Sequence, residues 1–129
     1  MKKLQLNIKN ETAQLEAVVL GIGLDFGGEP SLNEAYDPKS REHISKGTFP
    51  LEKDLIREID AFQKILEKYN IQVFRPENIN QLNQVFCRDI AFVVDTFFVV
   101  PNIIKARSKE FEALSYLLDQ IDSSQIINM

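Results

Sequence analysis

Apolar and polar positions alternate between two periods along this chain, and the changes of period mark out its elements. Leu15-Glu16-Ala17-Val18-Val19-Leu20-Gly21-Ile22 is a short β-branched run closed by glycine, which predicts a buried strand. Residues 23–48 are polar and carry Gly27, Gly28, Pro30 and Pro38, so they read as a long loop, either a lid or a disordered insertion. From Pro50 to Tyr69 the period becomes helical. Leu51, Leu55, Ile59, Phe62, Leu66 and Tyr69 fall on one face, widened by Ile56 and Ile65. Thr48 is placed to cap this helix, Pro50 suits its first turn, and the stripe predicts a core helix docked on a sheet.

Asn70 ends that helix, and Ile71-Gln72-Val73-Phe74 predicts a strand stopped by Pro76. Leu82, Val85 and Phe86 share a face, enough for one or two helical turns over 80–86. The run from Ile90 to Val100 is apolar except for Asp95-Thr96. It predicts a hairpin of Ala91–Val94 and Phe97–Val100 turning at those two residues. A second helix is expected over 108–119, capped by Ser108, with Phe111, Leu114, Leu117, Leu118 and Ile121 as its stripe. A last strand begins at Gln125-Ile126-Ile127. Strands interleaved with amphipathic helices define an α/β domain. Two similar units of about 50–60 residues suggest an internal repeat.

The length of 129 residues fits one domain spanning 1–129. With 44% hydrophobic and 26% charged residues, intrinsic disorder is excluded as the main reading. A net charge of −4 without a basic run argues against nucleic acid as a partner. No stretch has the composition of a membrane span or a signal peptide, so a soluble cytoplasmic protein with no membrane partner is expected. One cysteine permits no internal disulfide and fits a reducing compartment.

Candidate chemistry gathers at Phe86-Cys87-Arg88-Asp89. Charged residues at the mouth of a buried strand need partners, so Asp89 is either half of an internal ion pair or a carboxylate offered to a ligand. In a partly dry site it favours a planar, bidentate cation such as a guanidinium. Cys87 has no base beside it and reads as a small buried thiol. His43, the single histidine, reads as a solvated loop residue among Arg41, Glu42 and Lys46. No zinc set or calcium loop can be assembled, so no metal and no cofactor is expected. Gly21-Ile22-Gly23-Leu24-Asp25-Phe26-Gly27-Gly28 has nearly dinucleotide-binding spacing, but a polar loop with Pro30 follows where that motif needs a helix.

Asn83-Gln84-Val85-Phe86-Cys87-Arg88-Asp89-Ile90, then an apolar hairpin, then Arg107-Ser108-Lys109-Glu110, resembles the guanidino-group-modifying enzymes. These are the arginine deiminases, amidinotransferases and dimethylarginine hydrolases. Gly47-Thr48-Phe49-Pro50 and Phe74-Arg75-Pro76-Glu77-Asn78-Ile79 resemble the amidinotransferase branch. The resemblance implies a partial α/β propeller (pentein-like) of about two ββαβ-type units. It implies a guanidino substrate such as arginine, attacked by a cysteine thiolate while a histidine moves protons. It assigns Asp89 to the carboxylate that grips the guanidinium, Asn83 and Phe86 to the pocket wall, Arg107 to the substrate carboxylate, and Arg88 to a structural role at the strand end.

In that family the nucleophile, the histidine and a Glu-Gly-Gly-Asp type motif lie beyond a strand like the one at Gln125. Cys87 and His43 do not match them. The expectation is therefore an N-terminal portion, silent on its own, that either self-associates as a homo-oligomer or lacks a C-terminal half. The alternative class is a small non-catalytic α/β binding module.

Overall fold

The computed structural model describes residues 3–129. The chain is a mixed α/β domain with two sheets and three α-helices. Strand β1, Ala17–Val19, pairs in parallel with β2, Gln72–Phe74, in the register Ala17↔Gln72, Val18↔Val73 and Val19↔Phe74. Flanking bonds from Gln72 N to Glu16 O and from Leu20 N to Phe74 O extend the pairing over the predicted apolar run.

A parallel pair needs a crossover, and here two helices make it. The first, α1, spans Pro38–Lys46 within the segment expected to be irregular. Asp37 caps it, accepting from Ser40 N at 2.8 Å. Pro38 occupies the first turn, and Gly47 ends it at φ 64°. It buries no residue, so it lacks the apolar stripe by which helices are recognised. The second, α2, spans Glu52–Lys68. Leu51 stands at its N-cap without a side-chain bond. Thr48 is not the cap: its hydroxyl is 2.8 Å from His43 Nδ1. At the far end Asn70 takes φ 59° and Ile71 N donates to Leu66 O, a left-handed termination that asparagine tolerates.

Only part of the α2 stripe is covered. Leu66 is buried, and Leu55, Ile56 and Ile59 are half-buried. Phe62, Ile65 and Tyr69 are exposed, so the expected core helix is packed along one edge only. Residues 80–86 are not helical. Gln81 sits at φ 61°, and the buried amide of Gln84 holds the loop. Its Oε1 accepts from Ile79 N and its Nε2 donates to Glu77 O, both at 2.8 Å. A short 3₁₀ turn, Cys87–Asp89, follows.

The hairpin lies where the apolar run places it. β3, Phe92–Val94, pairs antiparallel with β4, Phe97–Val100, and β5, Ile126–Asn128, joins β4 in parallel. Between β4 and β5 the expected helix is mostly 3₁₀. Lys105–Leu114 is 3₁₀, and only Ser115–Leu118 is α-helical (α3). Ser108 is no cap, since its hydroxyl donates to Lys105 O at 2.9 Å. Leu114, Leu117 and Ile121 are buried as the stripe requires.

Ile90, Leu114 and Leu117 centre the core, with Val19 and Phe74 packed on them from the other sheet. The order β3-β4-3₁₀/α3-β5 is one ββαβ unit. The preceding part is strand–helix–helix–strand, so of the described residues only this one stretch has that order. Among the described residues no helix is long and apolar enough to cross a membrane.

Candidate functional site

Two close backbone approaches set the loop 83–86. Ile22 N donates to Gln84 O at 3.1 Å. A Cβ on Gly21 would lie 1.9 Å from the Val85 carbonyl oxygen, and one on Gly23 would lie 2.8 Å from the Leu55 Cβ. The glycines of the 21–28 segment thus serve chain packing: the loop 83–86 lies flat against the end of β1, and β1 against α2.

The loop opens into a cleft of about 430 Å³. Asn83, Phe86, Arg88, Asp89 and Arg107 all line it, so the residues assigned from sequence converge on one place. Phe26 and Phe49, stacked with ring centroids 6.2 Å apart, supply apolar lining. The opposite wall comes from the α1 region, through Tyr36, Lys39 and His43. His43, expected in solvent, is exposed but borders the cleft.

Arg107 is the electrostatic centre. Its side chain is 14% exposed. Nε and Nη2 donate to the two oxygens of Glu110, each at 2.8 Å. Nη1 donates to Asp89 Oδ2 at 2.8 Å, and Nη2 also donates to the Phe86 carbonyl at 3.0 Å. The 3₁₀ form of Lys105–Leu114 explains the fork, because residues three apart eclipse in such a helix. Hydrogen bonding to Glu110, opposed by burial and reinforced by Asp89, holds the guanidinium above its ordinary pKa. One Nη1 N–H is without a partner among the described residues. Arg107-Ser108-Lys109-Glu110 carried part of the resemblance, but only Arg107 was given a role from sequence. The Arg-x-x-Glu spacing was the available signal.

Asp89 is therefore half-committed. Oδ2 belongs to Arg107, while Oδ1 lies 3.5 Å from Arg88 Nε, and the side chain is 44% exposed. Arg88 is 80% exposed, and its guanidinium carbon sits 5.4 Å from the centroid of the Phe86 ring. Asn83 is exposed, and its side-chain Oδ1 accepts from Val85 N at 3.2 Å.

Cys87 points the other way. It is buried, with Sγ 3.8 Å from Gln84 O, and burial together with Glu110 pushes its thiol up to about 11 against the pull of Arg107 and Arg75. That shift works against the thiolate form that a nucleophilic cysteine needs. Among the described residues no cluster of His, Cys, Asp and Glu could hold a metal ion.

What these features define is an α/β fold carrying a charged cleft lined by a partly exposed carboxylate. No protein-family model matches the chain, and no curated protein matches it in sequence. Among solved structures, it is similar to inosamine-phosphate amidinotransferase from Streptomyces griseus, with a TM-score of 0.68 and 19% identity. The likeness covers 99% of this chain and 43% of that one, so the chain spans less than half of that protein's length. At this identity it establishes a shared fold.

Proposed function

We propose that the cleft binds a guanidinium group, with Asp89 as anchor and Phe86 as stacking face. On this reading the chain is the N-terminal portion of a guanidine-modifying enzyme with an α/β propeller. That enzyme would transfer an amidino group from arginine or a related compound, or hydrolyse it, through a cysteine-linked intermediate. The observation that carries the reading is the half-committed carboxylate. Asp89 is bonded to Arg107 through Oδ2, which leaves Oδ1 only a loose 3.5 Å contact with Arg88 Nε, in a cleft that the exposed Phe86 ring also lines. A carboxylate edge next to a π-face matches the planar, delocalised charge of a guanidinium better than a compact ammonium. The amidinotransferase fold supports the same chemistry. Asn83 would border the ligand, and the remaining Nη1 N–H of Arg107 would meet a ligand carboxylate.

Calorimetry on the 129-residue chain tests this. Arginine and agmatine are expected to bind, glycine is not, and Asp89→Ala should abolish binding. Absence of arginine and agmatine binding overturns the reading.

The state of Cys87 supports a second element of the proposal: the chain binds without turning over. Its single cysteine is buried, does not line the cleft, and has its thiol pushed up by burial. Turnover of arginine by the purified chain that is lost in Cys87→Ser would reject this.

A further inference from the structure

We infer that Arg88 is a resident guanidinium of the cleft, an internal occupant that an incoming planar cation displaces. The inference rests on the guanidinium-binding reading and adds a self-competing side chain to it. Three observations carry it. The Arg88 guanidinium lies over the Phe86 ring, 5.4 Å from its centroid. Its Nε faces Asp89 Oδ1 at 3.5 Å, the oxygen that Arg107 leaves unused. Arg88, Phe86 and Asp89 all line the same cleft. The side chain thus makes, loosely, both contacts proposed for the ligand.

The looseness gives the arrangement its function. Arg88 is 80% exposed, and the 3.5 Å contact is too long for a strong hydrogen bond. A structural arginine in this fold looks different: Arg107 is 14% exposed and makes its side-chain bonds at 2.8–3.0 Å. Arg88 holds no buried element in place, so it can leave without unfolding its surroundings. While seated it lies beside Asp89 Oδ1 and over the Phe86 ring. A ligand must therefore make closer contacts than Arg88 does to gain entry. Weak cations would be excluded, and a bidentate guanidinium favoured.

The test is calorimetric titration of arginine into the wild-type chain and into Arg88→Gln. The neutral variant is expected to bind about three- to tenfold more tightly, the ratio that corresponds to releasing an exposed cation–π contact and an exposed ion pair. Asp89→Asn in the Arg88→Gln background should abolish the gain. Lys109→Gln removes an exposed positive charge two residues from Arg107 at a position that does not line the cleft, and should leave affinity near wild type. Equal affinity of wild type and Arg88→Gln overturns the internal occupant while leaving the guanidinium site standing. Weaker binding by Arg88→Gln makes Arg88 a ligand contact and also overturns it. So does an equal gain from Lys109→Gln, since the effect would then be general charge repulsion. If neither protein binds arginine, the guanidinium site itself falls, and the occupant with it. Circular dichroism melts of all variants, expected within a few degrees of wild type for these exposed positions, exclude misfolding as the cause.

Discussion

Arg107 and Glu110 form a two-pronged ion pair at 2.8 Å per bond inside the wall of the cleft, and Asp89 is held by what remains of the same guanidinium. Both members of the pair are largely withdrawn from water, at 14% and 5% side-chain exposure. Removing one partner of such a pair leaves the other as an uncompensated buried charge. Glu110→Ala is expected to lower unfolding stability by about 3 kcal/mol, read as a fall in the urea midpoint without a change in slope. Arg107→Lys should recover little, because an ammonium cannot make the parallel fork.

The buried thiol gives a pH signature. Cys87 titrates near 11 in the folded chain against a reference of 9.0, so the unfolded state gives up its proton first. Between those values the folded state binds more protons, and stability falls as pH rises. The loss reaches on the order of 2 kcal/mol by the top of the window. Cys87→Ser should flatten that decline. Alkylation of the native chain at pH 8 should be slow, and it should become fast on adding denaturant.

Helix α1 depends on its ends, because it has no buried residue. Asp37→Ala removes the bond to Ser40 N and should cost about 1 kcal/mol of local stability. Amide exchange would register this as faster exchange across residues 38–46, with α2 unchanged.

Sheet β3-β4-β5 has a bare face. The register places Phe92, Val94, Phe97, Val99 and Ile127 on one side, and all but Val99 are exposed. A contiguous apolar surface of this kind favours a partner, and a second copy can present the identical surface in a two-fold contact. Light scattering should report a mass above 14.8 kDa that rises with concentration, and Val94→Lys with Phe97→Glu should return the monomer. A constant monomer mass would reject this.

The parts of the fold legible in sequence are those with a strong period or a special backbone requirement. α2 follows from its stripe, the Asn70 ending from the residue that tolerates left-handed φ, and the hairpin from an apolar run interrupted by Asp95-Thr96. α1 was hidden because periodicity detects burial and α1 has none, although Asp37-Pro38 and Gly47 signalled both of its ends. The 3₁₀ form of 105–114 was hidden because its spacing of three overlaps that of an α-helix. At the site, Asp89 stood out as a charge beside apolar strands. Tyr36 and His43 reach the cleft only through tertiary placement, which no local pattern encodes.

The contact between Gly21 and the Val85 carbonyl makes the two sides of the cleft mechanically unequal. On one side two backbones touch with no side chain between them, and the Gln84 amide ties down the turn beyond. On the other, α1 buries no residue. The cleft is a vise with one fixed jaw and one sprung jaw. On the guanidinium-binding reading, the fixed jaw would set the orientation of a bound group and the sprung one the rate at which it enters and leaves.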